Sequence, residues 1–191
     1  MIEMNRPVAG RLYSVADAVI LLDNTVSFLN NKLEMRFVRS ELSVRLMPND
    51  GGDYGSCETF RQTSSQGVVT NKCTISLRTG LSQDFAVVVM THELTHYWMN
   101  TKWIAPNMHS QRKDGDLLDE VICELMGALA AQAMRWDAMK DSQVRAARSF
   151  ATRFGAREAR DMLTMHIERV ISRHSGIVSA LLPVYLSAMK L

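Results

Sequence analysis

Between residues 14 and 33 apolar side chains recur at intervals of three and four: Val15, Val19, Leu22, Val26 and Leu29. That spacing predicts an amphipathic helix with Ser14 as its N-cap. From Met35 to Met47 the pattern changes. Phe37, Leu42, Val44 and Leu46 interleave with Arg36, Ser43 and Arg45, and the last part alternates as a strand does. PNDGGDYGS, residues 48–56, is a turn-rich break. CETFRQT and VVTNKCTISLR then read as two strands joined by SSQG, a hairpin. TGLSQD follows as a helix start, with Thr79 or Ser82 as cap and Asp84 in the first turn.

From Phe85 to Met99 the residues are apolar nearly all round, which predicts a central helix covered on several sides. Residues 100–116 read as a polar connector with Pro106 and Gly115. A second strong helix is expected from Leu117 to Met134, and residues 138–174 as helical with a break at Gly155. The last apolar segment is interrupted by Pro183. The order predicts an α+β domain with its helices segregated from a small sheet. As one domain of 191 residues it divides into an N-terminal helix (1–34), a sheet region (35–80), a helix pair (81–135) and a helical C-terminal part (136–191).

At 47% hydrophobic and 22% charged the chain has the composition of a soluble globular protein. A net charge of +2 gives no case for nucleic acid or a membrane surface as partner. No apolar stretch approaches the roughly 18 residues that a membrane span needs. The first apolar run is broken by Asp17 and Asp23, unlike a secretory signal. The expectation is a cytoplasmic protein, or one exported without a classical signal, as a delivered effector would be. Cys57, Cys73 and Cys123 include no Cys-x-x-Cys pair, which excludes a Cys-rich zinc module. Cys57 and Cys73 could bridge across the hairpin, but the expectation is reduced, partly buried thiols in a cytosolic protein.

The central helix carries the chemistry, in His92-Glu93-Leu94-Thr95-His96. Side chains four apart on a helix have Cβ atoms about 5–6 Å apart on one face. Two imidazoles so placed can both reach one zinc ion at roughly 2.0–2.1 Å. Glu93 projects beside the pair, where it could act as general base on a zinc-bound water. The expected back of this helix is Val87, Met90, Leu94, Tyr97 and Trp98, with Phe85, Val88 and Val89 as apolar walls nearer the metal. Two histidines and a glutamate in so apolar a helix are costly to bury without a partner, and a metal supplies one.

A catalytic zinc takes three protein ligands and keeps one open position. A metzincin would have its third histidine where Lys102 stands. His109 could serve in principle, but DEVICEL on the next helix offers a better candidate. Glu120 and Glu124 are one turn apart there, Gly127 and Ala131 continue their face, and Leu118, Val121, Ile122 and Leu125 can anchor the opposite side. Small residues let one helix approach another closely. The preferred assignment is Glu120 as third ligand and Glu124 as buttress, accepting the outward N–H of a ligand histidine.

At these residues the sequence resembles the peptidase domain of the plant ubiquitin-activated LIM-domain peptidases that limit organ size (the DA-one family) and their shorter bacterial relatives. The likeness begins at ISLRTGL (75–81), continues through HELTHYW with Trp98 two after the second histidine, and resumes at DEVICEL. It covers roughly residues 40–165, with FATRFGAREARDML (150–163) as a weaker match. Val121 stands where the family has glycine, and Glu124 where it has glutamine. The resemblance implies a gluzincin-type zinc peptidase on a zincin-like fold, a small sheet packed on the active-site helix and the glutamate helix, with Glu120 as the third zinc ligand. It does not name a substrate.

The expected reaction is hydrolysis of a peptide bond in a protein, with an extended substrate added to a sheet edge supplied by residues 67–79. His109, His166, Tyr97, Tyr185 and several arginines are candidates for a second donor to the oxyanion. His166 and His174 are more simply read as surface or core histidines. Two rivals stand beside the peptidase. One is a zinc-stabilised interaction domain, although structural sites are usually closed by four Cys/His ligands. The other is a zinc hydrolase of a non-peptide amide; the deaminase version lacks its Pro-Cys-x-x-Cys partner.

Overall fold

Local capping fixes where the helices begin. Ser14 accepts a hydrogen bond from the Asp17 amide and opens α1 (Val15–Leu33). Glu34 closes it in the left-handed region at φ 54°. The computed structural model describes residues 10–103 and 115–133. In α1 the buried residues are Ala18, Leu21, Leu22, Thr25, Val26, Phe28, Leu29 and Leu33. Val15, expected among them, is 51% exposed because it stands in the first turn, outside the packed face.

After α1 the chain is pinned by Asn30, whose side chain both accepts from the Phe37 amide (2.7 Å) and donates to the Phe37 carbonyl (2.9 Å). β1 (Leu42–Met47) follows, then β2 (Gly55–Thr63) and β3 (Val69–Arg78). β2 and β3 form the expected antiparallel hairpin. Its loop is closed by the Ser64 hydroxyl, which accepts from the amides of Gln66 and Val68, and by Gly67 at φ 78°.

The sheet order is β1-β3-β2 among the described residues, with β1 parallel and β2 antiparallel to β3. This corrects the expectation that residues 67–79 supply a free edge. β3 is the central strand: residues 73–78 are paired on both sides, residues 69–72 with β2 alone, and the edges belong to β1 and β2. One sheet face is apolar, with Val44 beside Ile75 and Leu46 beside Leu77. The other is polar: Arg45 donates to Ser76 (2.8 Å) and to Glu58, and Ser43 pairs with Thr74 (2.9 Å).

α2 (Gln83–Trp98) starts at Ser82, whose hydroxyl accepts from the Phe85 amide, with Asp84 in the first turn as expected. It packs against α1, β2, β3 and α3 (Gly115–Ala133), so most of its sides are covered. Ala86 through Thr91, Glu93 through Thr95, Tyr97 and Trp98 are all buried. The end of α2 is anchored by two polar bonds: Trp98 Nε1 donates to the Met35 carbonyl (3.0 Å) and the Tyr97 hydroxyl to Glu41 (2.9 Å). The helix runs on through a wider π turn at Met99–Trp103, so the expected connector starts later than residue 100. No helix of the described residues is long and apolar enough to cross a membrane. The expected helices after residue 134 lie outside the described residues.

Candidate metal centre

One turn of α2 separates His92 from His96, and both rings turn to the side that α3 covers. Their Nε2 atoms are 3.1 Å apart, and the rings meet edge to face at 4.9 Å between centroids. The side chains keep 17% and 22% of their surface exposed, so neither ring is fully enclosed. From α3, Glu120 reaches both: Oε2 is 3.4 Å from His92 Nε2, and Oε1 is 3.2 Å from His96 Nε2.

Gly127 explains how α3 comes so close. A Cβ at that position would lie 3.1 Å from Val88 Cγ1 and 3.2 Å from the Val88 carbonyl oxygen. The two helix backbones are therefore nearly in contact two turns beyond Glu120. Ile122 and Leu125 are buried, as expected of anchors for this helix.

The spacing of the donors tests whether zinc fits. Four ligands arranged tetrahedrally at roughly 2.0–2.1 Å from an ion stand about 3.3–3.4 Å from one another. The two nitrogens are 3.1 Å apart, and Glu120 offers each a separate oxygen, Oε1 at 3.2 Å from His96 and Oε2 at 3.4 Å from His92, so each contact is near that length although no single carboxylate oxygen closes a triangle. Two nitrogens and one carboxylate are also a donor set that zinc accepts in open sites. Glu124 Oε1 lies 3.6 Å from Nδ1 of His92, the ring nitrogen turned away from these contacts. That is the position of a buttress, at ion-pair distance and longer than a hydrogen bond.

Glu93, next to the first histidine, is 8% exposed. Burial raises its carboxyl above the ordinary range, and the nearby His92 and His96 partly offset that rise. Glu120 is held well below the usual carboxylate range by hydrogen bonds from His92 and His96. Burial pulls the His96 imidazole down, yet its hydrogen bond to Glu120 and the charges of Glu120 and Glu93 outweigh burial and leave it raised. These directions favour an ionised Glu120 beside a His96 that holds its proton more tightly than a free imidazole.

Cys123 reads in the sequence only as a buried reduced thiol, but the structure places it at the centre. It is fully buried, and its sulfur and a nitrogen from each histidine all lie within 4.8 Å of one another. The signal is in the spacing: Glu120, Cys123, Glu124 and Gly127 follow at three, four and seven, one face of a helix.

Tyr97, a candidate donor to the oxyanion, is fully buried with its hydroxyl on Glu41, and burial pushes its pKa up. It belongs to the anchored back of α2 and does not face the donors. His109, His166, His174 and Tyr185 lie outside the described residues. No protein-family model, curated protein or solved structure matches this chain.

Proposed function

We propose that this chain is a zinc-dependent peptidase, a gluzincin on a zincin-like fold resembling the DA-one family, which hydrolyses a peptide bond within a protein. One observation carries the reading: two imidazole nitrogens of one helix and a carboxylate of another meet within 3.1–3.4 Å, with a buried carboxylate next to them in sequence. Zinc held by His92, His96 and Glu120 would lower the pKa of a water towards neutrality and polarise the scissile carbonyl. Glu93 takes a proton from the attacking water and hands it to the leaving nitrogen. The raised carboxyl suits the second half of that task, since a group that binds its proton more tightly can carry it across. Glu124 steadies the His92 ring from the Nδ1 side. An extended substrate has the outer side of β2 to pair with, and that strand begins at Gly55, against Glu93.

The test is metal content of the purified protein, by mass spectrometry, for wild type, His96→Ala, Glu120→Ala and Glu93→Gln, together with hydrolysis of denatured protein substrates. The expected result is a single zinc per wild-type chain, lost or much weakened in the first two variants. Glu93→Gln should keep the metal and lose hydrolysis by about 10²-fold or more. A wild type that takes up no zinc when it is offered overturns the reading.

Cys123 favours a second reading. A thiolate there would supply a fourth ligand, close the site and make the metal structural, in a domain that binds a partner. Cys123→Ser separates the two. An open site keeps its zinc affinity and its hydrolysis, whereas a closed one loses affinity by orders of magnitude.

A further inference from the structure

Two thiols stand behind the candidate base with no role in the chemistry above. Cys57 on β2 and Cys73 on β3 have their sulfurs 3.4 Å apart, and both are free. They are not opposite one another: Cys57 pairs with Ile75, and Cys73 with Thr59. Diagonal neighbours across a ladder have Cα atoms about 7–8 Å apart, whereas disulfides span about 4.4–6.8 Å. At that typical spacing a bridge draws the two backbones closer than an ordinary diagonal pair. Closing the diagonal pair would therefore shear the strands towards one another.

What that shear would move is set by the packing of β2. Cys57 is two residues after Gly55, which lies hard against Val89 and Glu93. A Cβ at Gly55 would fall 2.5 Å from Val89 Cγ1, so no slack separates β2 from α2 at this point. The two thiols are also unlike. Cys57 is half-buried and its pKa is lowered, chiefly by the hydrogen bond with Cys73; Cys73 is 1% exposed and its pKa is raised by the same contact and by burial. Cys57 is thus the less buried sulfur and the one more readily ionised, and Cys73 lies next to it.

We infer that Cys57 and Cys73 form a redox switch whose closure to a disulfide drags β2 across Glu93 and turns the site off. With a peroxide as oxidant the steps balance. The Cys57 thiolate attacks one peroxide oxygen, the O–O bond breaks, and hydroxide leaves to give a sulfenic acid. The Cys73 sulfur then attacks the sulfenic sulfur, and the S–S bond forms as water departs. Two thiols and one hydrogen peroxide become one disulfide and two waters, and a dithiol reductant reverses the change. Cys123, on α3, takes no part.

The test treats the full chain with hydrogen peroxide and reads thiol count, intact mass and hydrogen exchange, none of which needs activity. The switch predicts loss of two of the three thiols and a mass lower by about 2 Da. Dithiothreitol should restore both. Exchange should change over residues 55–63 and 86–96, and neither Cys57→Ser nor Cys73→Ser should show the bridge. Hydrolysis by the oxidised wild type should fall about 10²-fold for a displacement near 1 Å; this arm alone rests on the peptidase reading. Separate oxygen additions with no bridge overturn the switch, as does a bridge that leaves exchange in 86–96 unchanged. A bridge with altered exchange, in a protein that hydrolyses nothing when reduced, upholds the switch and sinks the peptidase reading.

Discussion

Gly55 lies so close over Glu93 that a Cβ there would stand 3.1 Å from Oε1 of the carboxylate and 2.5 Å from Val89 Cγ1. A strand and a helix that approach to this distance leave room for a hydrogen atom and nothing larger. Gly55→Ala should therefore displace either β2 or the glutamate. Overpacking of this kind costs about 1–3 kcal/mol, readable as a lower urea midpoint. The variant should retain zinc, because the displaced group is not a ligand, and should lose hydrolysis more than stability. An alanine variant with unchanged midpoint and activity would show the strand to be free to move.

Gly127 makes the corresponding approach on the other side of α2, against the Val88 backbone. Gly127→Leu should force the helices apart and carry Glu120 away from the histidines. Stability should drop by about 1–3 kcal/mol, and zinc affinity, measured by competition with a chelating dye, should drop with it. Equal affinity in the variant would mean that Glu120 is not a ligand.

The metal-free protein should be most stable in mild acid. His96 has a raised pKa in the fold, so its contribution is fully present below the ordinary imidazole value of about 6.5 and is lost as pH rises through the folded value. Glu93 is raised as well and acts in the same direction, since ionising a buried carboxyl costs stability. Glu120 is depressed, so its contribution is present above about 4.3 and fades as pH falls towards the folded value. Thermal unfolding followed between about pH 4.5 and 8 should show the midpoint falling with increasing pH. Zinc should reverse that slope, because protons compete for the same nitrogens. A metal-free protein that grows more stable from pH 6 to 8 would contradict the pairing of His96 with Glu120.

If zinc occupies the site as proposed, chelation measures how far it stabilises the fold. A ligand at a hundredfold excess over its Kd adds about 2.7 kcal/mol to stability. For a chain of this size each kcal/mol moves the midpoint by about 2–4 °C. Removing zinc with a chelator should lower Tm by about 5–10 °C, and Glu120→Ala should remove that difference. A wild type whose Tm ignores both zinc and chelator would contradict a bound metal.

Much of this can be read from the chain because local rules are written locally. Ser14 and Ser82 announce their helices by hydroxyls that must cap amides, and the hairpin follows from Ser64 and Gly67 between two alternating runs. The helix face of Glu120, Glu124 and Gly127 is a matter of counting by three and four. Strand order is not legible in this way. Alternation in VVTNKCTISLR says which side chains are buried and nothing about which neighbours take the backbone bonds, so β3 reads as an edge and lies at the centre. Cys123 is hidden for a related reason: a thiol suits an apolar core as well as a metal, and only the distance to two histidines tells them apart. Gly55 stands in a turn-rich stretch where glycines are ordinary, and its contact is with a helix that arrives later in the chain.

The central place of β3 also fixes an order of assembly. On one side it meets β2 across the short loop 64–68, Thr63 against Val69; on the other it meets β1 in parallel, Leu42 against Cys73, with residues 48–68, β2 included, lying between β1 and β3 in the chain. Closing the longer loop costs more entropy and brings no contacts until the hairpin exists to receive it. The hairpin is thus the template, and β1 the strand that waits. Pulse-labelled hydrogen exchange during refolding should find the amides of residues 55–78 protected before those of 42–47, and simultaneous protection would mean that the sheet condenses as a single unit.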